Sequence, residues 1–285
     1  MAEIAGSNPA KPIVKITNQI LEEYLDFLRL SGVTEGHINE VNRALKNYKK
    51  YILSVVDKQK SLRYFRKLKR DCSLSYYLKQ MYQIKKFLKY IDCNWADNIH
   101  LPKGPSYTPK RIDTREIDEA IHFSKNSTHF LQLKSILLLG SSSGLRAGEI
   151  YQLNPEDIDL QNRTVYVNHN PKKGQTTKTG RSRISFFDNK TKVALNEYME
   201  FFNNGCDYSR LFPKGTLNRI FRKAPIKVKH LRKYFSQEWD RRGGPTGVKK
   251  ILMGHSLKGD VDLQHYNAQS EEDLRQIYNK VMETY

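Results

Sequence analysis

Apolar side chains recur every three to four positions through the first hundred residues, the spacing of one face of an α-helix. Ile20, Leu21, Tyr24, Leu25, Phe27 and Leu28 predict a first helix, closed by Ser31-Gly32. Thr34 is placed to cap a second helix running to Val55. A short third helix is expected over Leu62–Leu68. A fourth, over Ser75–Tyr90, carries Tyr77, Leu78, Met81, Ile84, Phe87 and Leu88 on its apolar face. Four or five helices in ~90 residues make a small bundle. Leu101 to Pro109 then brings three prolines and a glycine. No helix continues through such a run, so it reads as a linker.

Beyond the linker the pattern changes. Thr114-Arg-Glu-Ile-Asp-Glu has the chemistry of a capped helix start. Phe130–Leu139 is apolar on nearly every side. Arg163–Asn168 alternates as a strand, and Ser182–Phe187 reads as a second. Residues 164–187 thus form a hairpin with a long polar tip over His169–Arg181. Helices are expected again over Lys190–Phe202, Thr216–Arg222, Val228–Asp240, Thr246–Met253 and Glu271–Met282. The expected fold is mainly α with a small antiparallel β-sheet. A helical domain over 1–100 and a mixed domain over 111–285 are joined by a linker at 101–110.

Composition narrows the function. The chain has 285 residues, with 49 Lys and Arg against 30 Asp and Glu, a formal charge of +19. Hydrophobic residues make up 38%, and 17 Tyr with 12 Phe are enough to build cores. No run of 18 apolar residues marks a membrane-spanning helix. The opening segment lacks the apolar stretch of a secretory signal. Three cysteines, Cys72, Cys93 and Cys206, lie far apart, with no CxxC and no HExxH, which leaves a disulfide framework or a local zinc motif unsupported. The expectation is a soluble intracellular protein, cytoplasmic and nucleoid-associated, whose first partner is a polyanion.

The charge is concentrated. Between Arg43 and Arg70 there are 11 basic residues and one acid, Asp57. Arg43, Lys46, Lys49, Lys50, Arg63, Arg66, Lys67, Lys69 and Arg70 are the candidate DNA-binding residues of this segment. Tyr48, Tyr51, Tyr64 and Phe65 are interleaved with them. A face so dense in one sign is best tolerated where phosphates neutralise it, although any single lysine reads equally well as solvated surface.

Five short patterns follow one another in the second half. Gly144-Leu-Arg-Ala-Gly-Glu149 closes the apolar helix, and Lys178-Thr-Gly180 sits in the hairpin tip. Lys229-His-Leu-Arg232 opens a helix, Gly254-His-Ser256 follows another, and Leu263-Gln-His-Tyr266 comes next. In this order they resemble the tyrosine recombinases, the integrases and Xer proteins, over roughly residues 111–270. Lys229 stands three residues before Arg232, where the family usually has histidine. That KxxR variant resembles the integrases of archaeal spindle-shaped viruses. The interval from His255 to Tyr266 is about two residues longer than is common in the family.

The resemblance implies a site-specific recombinase that cuts and rejoins DNA through a 3′-phosphotyrosyl intermediate. Arg146 and Arg232 would clamp the scissile phosphate with forked, permanently charged donors. Tyr266 would be the nucleophile and Lys178 the general acid. Lys229 and His255 would assist at the phosphate, and Glu149 would support Arg146. No metal and no cofactor is expected, and the stored ester makes ATP unnecessary. Lys172, Lys173 and Arg181 would bind DNA beside Lys178, and each competes with it for the acid's role. His230 competes with Lys229; Tyr278 and Tyr285 compete with Tyr266. The resemblance also implies that the N-terminal helices form a core-binding, SAM-like domain and that the two domains close as a C-shaped clamp on duplex DNA. Four protomers would assemble on DNA, coupled through the C-terminal helix docking on a neighbour; the plainer reading of its stripe Leu274, Ile277, Tyr278 and Val281 is packing on its own domain. Two rival readings share the fold: a DNA-binding protein without catalysis, and a relaxing topoisomerase of the type IB kind.

Overall fold

In the computed structural model, which describes residues 14–104, 106, 108–205, 210–255 and 269–283, Thr17 opens the first helix by accepting a hydrogen bond from the Ile20 amide. Helix α1 (Asn18–Leu30) packs on α2 (Glu35–Tyr51) and α2 on α4 (Leu74–Tyr90), with α3 (Lys58–Asp71) against α4. Their apolar faces meet in one core built from residues such as Tyr24, Leu25, Val41, Leu45, Phe65, Ile84 and Phe87. Helix α2 stops at Tyr51, four residues before the expected end. Leu53 and Ser54 take left-handed backbone angles, φ 56° and 64°. This turn lets Val55 and Val56 pair with the chain before α1: the Ile16 amide donates to the Ser54 carbonyl and the Val56 amide to the Val14 carbonyl. Helix α3 is twice the length expected. It begins at Asp57, the lone acid of the basic segment, whose carboxylate accepts from the Lys60 amide.

The chain divides into two compact units between Thr108 and Pro109. The C-terminal unit begins with α5 (Thr114–Ser124), whose cap is Asp113, one residue earlier than the expected Thr114. Asp113 and Glu116 satisfy each other's amides as a capping box. Helix α6 (Phe130–Ser143) is the axis of this unit, flanked by α5, by α8 (Asn189–Asn203) and by α10 (Val228–Arg241). It is buried almost all round, as the apolar run Ile136–Leu139 and its flanking leucines require. Its polar residues are satisfied internally: Gln132 donates to Tyr198 and to the Leu211 carbonyl, and Ser135 to the Ala194 carbonyl. A Cβ on Gly140 would lie 2.7 Å from a Leu231 methyl, so the glycine lets α10 approach.

The sheet has three antiparallel strands in the order β1-β2-β3: Ile158–Asp159, Thr164–Val167 and Arg183–Phe186. The hairpin β2-β3 matches the expectation; the two-residue β1 is an addition, too short for alternation to register. A four-residue turn of helix, α7 (Ala147–Ile150), follows α6; α9 (Lys214–Phe221) precedes α10, and α11 (Thr246–Met253) and α12 (Glu271–Met282) complete the unit.

In the single chain, helix α12 packs on its own unit. Leu274, Tyr278, Val281 and Met282 join Phe186, Phe235, Trp239 and Leu252 in one buried cluster. Tyr278 is fully buried and donates to the Ser142 carbonyl at 2.8 Å. Arg242 donates to the Met282 carbonyl, and Arg163 pairs with Glu283. The apolar stripe legible in the sequence is therefore a core face in this chain. None of the described helices is long and apolar enough to cross a membrane.

Candidate functional site: a guanidinium cluster in the C-terminal unit

Helix α6 ends because Gly144 turns left-handed, φ 66°. The turn could not bear a side chain, since a Cβ there would meet the Phe235 ring at 2.4 Å. Leu145 then anchors in the core, which throws Arg146 outward at the start of α7. Glu149 is buried one turn on. Its carboxylate accepts from the Arg146 amide at 2.7 Å and from Arg146 Nη1 at 2.8 Å. The second nitrogen, Arg146 Nη2, donates to the Gly254 carbonyl at 2.9 Å.

Arg232 comes from α10, on the turn after its start. Its Nη1 donates to the Gly144 carbonyl at 2.8 Å, so both ends of the Gly144-Leu145-Arg146 segment are tied into one cluster. Burial, then the charge of Arg146, lowers the Arg232 pKa to about 10. At neutral pH it remains a cation. His255 leaves the end of α11 after Gly254, itself left-handed at φ 62°. Partial burial and then the charges of Arg232 and Arg146 hold its imidazole below the ordinary value, so it is neutral at pH 7.

Glu149 is the anionic centre. Burial, the strongest single influence, opposes its ionisation. Hydrogen bonds and charge from Arg183, followed by the bonds from Arg146, overcome that and leave its pKa below the usual carboxylate range. Arg183, the first residue of β3, is not among the residues that the sequence patterns single out. Its fork is bidentate to Glu149, Nη1 at 3.0 Å and Nη2 at 2.7 Å, while Nε donates to the Leu252 carbonyl at 2.9 Å. The available signal is an arginine opening a strand in which apolar Ile184 and Phe186 flank Ser185.

The structure thus brings Arg146, Glu149, Arg232 and His255 together. Among the described residues no hydrogen bond joins Lys178 or Lys229 to this cluster, and both are exposed. Lys178 rides on a built loop. Gln175 is buried and donates to Asp157 at 2.7 Å and to the Gln152 carbonyl, while the Thr177 amide donates to His169 Nδ1 at 3.1 Å. Lys172, Lys173 and Arg181 are exposed on the same loop. Lys229 lies on the first turn of α10. His230 beside it is partly buried; that burial and the charges of Lys229, Lys233 and Lys227 lower its pKa. Tyr266 and Tyr285 lie outside the described residues. Tyr278, the third tyrosine weighed, is locked in the core, where burial raises its pKa well above the ordinary value.

In the N-terminal unit, Arg43, Lys46, Lys50, Arg63, Arg66, Lys67, Lys69 and Arg70 are exposed, and Lys49 is half-buried with its amine on Asn18 at 2.7 Å. Arg43, Lys46 and Lys50 form one stripe on α2; Arg63, Arg66, Lys67 and Arg70 form one on α3. Of the interleaved aromatics, Tyr48, Tyr64 and Phe65 are core residues. Tyr51 reaches the surface, where the Lys67 amine lies 5.6 Å above its ring. Among the described residues no three His, Cys, Asp or Glu side chains are grouped to hold a metal ion.

The phage integrase family model matches residues 110–273. The tyrosine recombinase XerA of Saccharolobus solfataricus is 26% identical over 280 residues, covering 94% of this chain and 86% of that protein. XerA of Pyrococcus horikoshii is 24% identical over 272 residues, covering 93% and 90%. Among solved structures, lambda integrase bound to DNA superposes with a TM-score of 0.67 at 13% identity, covering 94% of this chain and 98% of that one. The integrase of transposon Tn1549, in complex with transposon right-end DNA, gives 0.64 at 13% identity, covering 90% and 97%. At these identities the likeness of structure is one of fold.

Proposed function

This chain belongs to the phage integrase family and is an enzyme of its tyrosine-recombinase class; from that premise we propose that it cleaves and rejoins duplex DNA through a phosphotyrosyl intermediate at the guanidinium cluster. The observation that carries the reading is that Arg146, held by the buried Glu149, and Arg232, held by the Gly144 carbonyl, converge from separate segments, with His255 close enough to feel both charges.

The chemistry follows from charge. A phosphodiester carries one negative charge on its non-bridging oxygens and repels a nucleophile. Attack by the Tyr266 phenol oxygen on phosphorus, with the phenol proton passing to the neutral His255 imidazole, builds a phosphorane with a second negative charge. Arg146 and Arg232 supply two positive charges from fixed positions, where they act most strongly as the charge develops. The bond to the 5′-oxygen then breaks, leaving a 3′-phosphotyrosyl ester and a 5′-hydroxyl. Lys178 delivers the proton that the leaving oxygen needs, by movement of its loop toward the phosphate. His255 and Lys229 add hydrogen bonds there. The ester conserves the energy of the broken bond, so a second 5′-hydroxyl reverses the step without ATP, and the two guanidiniums supply the charge that a metal ion supplies in other phosphoryl-transfer sites.

The N-terminal helices act as a second DNA-gripping domain through the stripes on α2 and α3, and the Lys172, Lys173 and Arg181 loop adds phosphate contacts. Joining two duplexes calls for four protomers on DNA. Coupling through α12 then requires it either to leave its seat or to use its outer face, which carries Glu272, Gln276 and Lys280.

A suicide duplex, nicked so that the cleaved 5′-fragment diffuses away, tests the reading. The chain should accumulate as a covalent protein–DNA adduct, and Tyr266→Phe should abolish it. DNA binding without any adduct would select the non-catalytic reading; adducts unchanged in Tyr266→Phe would move the nucleophile.

A further inference from the structure

Arg183 has no role in the chemistry outlined above, yet it is among the most constrained charges in the C-terminal unit. Its side chain is only 9% exposed, and its partner Glu149 is 4% exposed. All three kinds of guanidinium nitrogen are used: Nη1 and Nη2 on the two oxygens of Glu149, Nε on the Leu252 carbonyl. Space is reserved for it, because a Cβ on Gly254 would lie 2.7 Å from Arg183 Cδ. A buried ion pair is by itself weak evidence for stability. Its placement is more informative.

Glu149 stands between two arginines. On one side it holds Arg146 by the main chain and by Nη1; on the other it meets the Arg183 fork. With Arg146 and Glu149 alone, the carboxylate that orients Arg146 would also cancel its charge. With Arg183 present, Glu149 is already neutralised. The cluster Arg146, Arg183, Arg232 and Glu149 then retains two positive charges, the number a phosphorane carries as negative charge. Arg183 also links three separate segments. It opens the strand that leaves the Lys178 loop, grips the carboxylate that orients Arg146, and binds the last turn of α11, which leads into His255.

We propose that Arg183 is a positioning residue for strand cleavage, a fixed counter-ion that neutralises Glu149 so that the charge of Arg146 stays available to the scissile phosphate. The inference rests on the functional reading above.

The test measures the single-turnover rate of adduct formation on the suicide duplex at saturating DNA, with DNA affinity and melting temperature alongside. R183Q leaves Glu149 uncompensated and should slow adduct formation by about thirtyfold or more, with DNA affinity within about threefold. R183K keeps the charge but loses the fork, so it should fall between the parent and R183Q, faster than R183Q by about fivefold or more. In an E149Q background, where no carboxylate needs neutralising, R183Q should add less than about threefold. R183K as slow as R183Q, or the full R183Q penalty in the E149Q background, would overturn the proposal and leave Arg183 as packing. Should R183Q not fold, R183K and E149Q/R183Q carry the test, since neither leaves an uncompensated carboxylate; inactivity of both would overturn it.

If the parent chain forms no adduct, the functional reading fails, and the electrostatic claim is read separately from the NMR titration of the His255 ring in the free chain. R183Q should raise that midpoint by about half a pH unit or more, whereas R183K should leave it in place. An R183Q midpoint equal to the parent's would overturn the proposal.

Discussion

Arg146 and Arg232 repel each other, and their proximity persists because neighbouring oxygen atoms offset the repulsion: Glu149 and the Gly254 carbonyl for one, the Gly144 carbonyl for the other. Each is a fork fixed in plane and direction, which a lysine cannot reproduce. Arg146→Lys and Arg232→Lys should therefore each lower the adduct-forming rate by about a hundredfold or more, with DNA affinity changed far less. Glu149 gives a second, structural prediction. Its folded pKa is depressed, so its contribution to stability is complete above the unfolded value near 4.5 and is lost as pH falls through the lower folded value. In denaturant titrations the stability gap between the parent and E149Q should be widest at neutral pH and should narrow once the pH falls below the unfolded value of 4.5. A gap independent of pH would contradict the assignment. The sequence makes Arg146 and Glu149 readable because a local turn, Gly-Leu-Arg-x-x-Glu, brings them together. Arg183 is not readable in that way: its partner lies 34 positions earlier, and only the folded hairpin joins them.

The elements that hold these side chains are governed by packing, which local pattern reports unevenly. The limits of α4, α11 and α12 follow from capping and periodicity, and the apolar run of α6 marks the buried axis. The early stop of α2 does not follow, because it depends on pairing with Lys15 and its neighbours, some forty residues away. The amphipathic stripe of α12 is visible in the sequence; what it covers is not, since an apolar face has the same sequence whether its partner is its own unit or another chain. The cluster answers this for the free chain. Burying Leu274, Tyr278, Val281 and Met282 is worth roughly 1.5–3 kcal/mol each, as an upper estimate, against a typical domain stability of about 5–15 kcal/mol. Removal of residues 270–285 should therefore unfold or aggregate the C-terminal unit, seen as loss of its cooperative melting transition; an unchanged transition would show that α12 is dispensable for folding. Tyr278→Phe leaves the ring but removes the bond to the Ser142 carbonyl, and should cost about 1–2 kcal/mol without touching adduct formation per folded molecule. Gly144→Ala combines an unfavourable φ with a clash against Phe235, and should cost more than about 2 kcal/mol in the same melting experiment.

At the scale of the whole molecule, a charge of +19 is spread over two units. On the proposed function, the exposed stripes on α2 and α3 would supply affinity and the arginine cluster the chemistry. Replacing Arg43, Lys46 and Lys50 by glutamine should weaken DNA binding while the cleavage rate at saturating DNA holds. The slope of log affinity against log salt should become shallower by up to about 0.9 for each phosphate that is no longer neutralised. The most direct test of the account is where the DNA becomes attached. A trapped adduct, digested with nuclease and protease, should yield one modified peptide with a 3′-nucleotide esterified to the Tyr266 phenol, and mass spectrometry of Arg146→Lys adducts should give the same peptide in much lower yield. A nucleotide joined through its 5′-phosphate, or carried by any residue other than Tyr266, would contradict it.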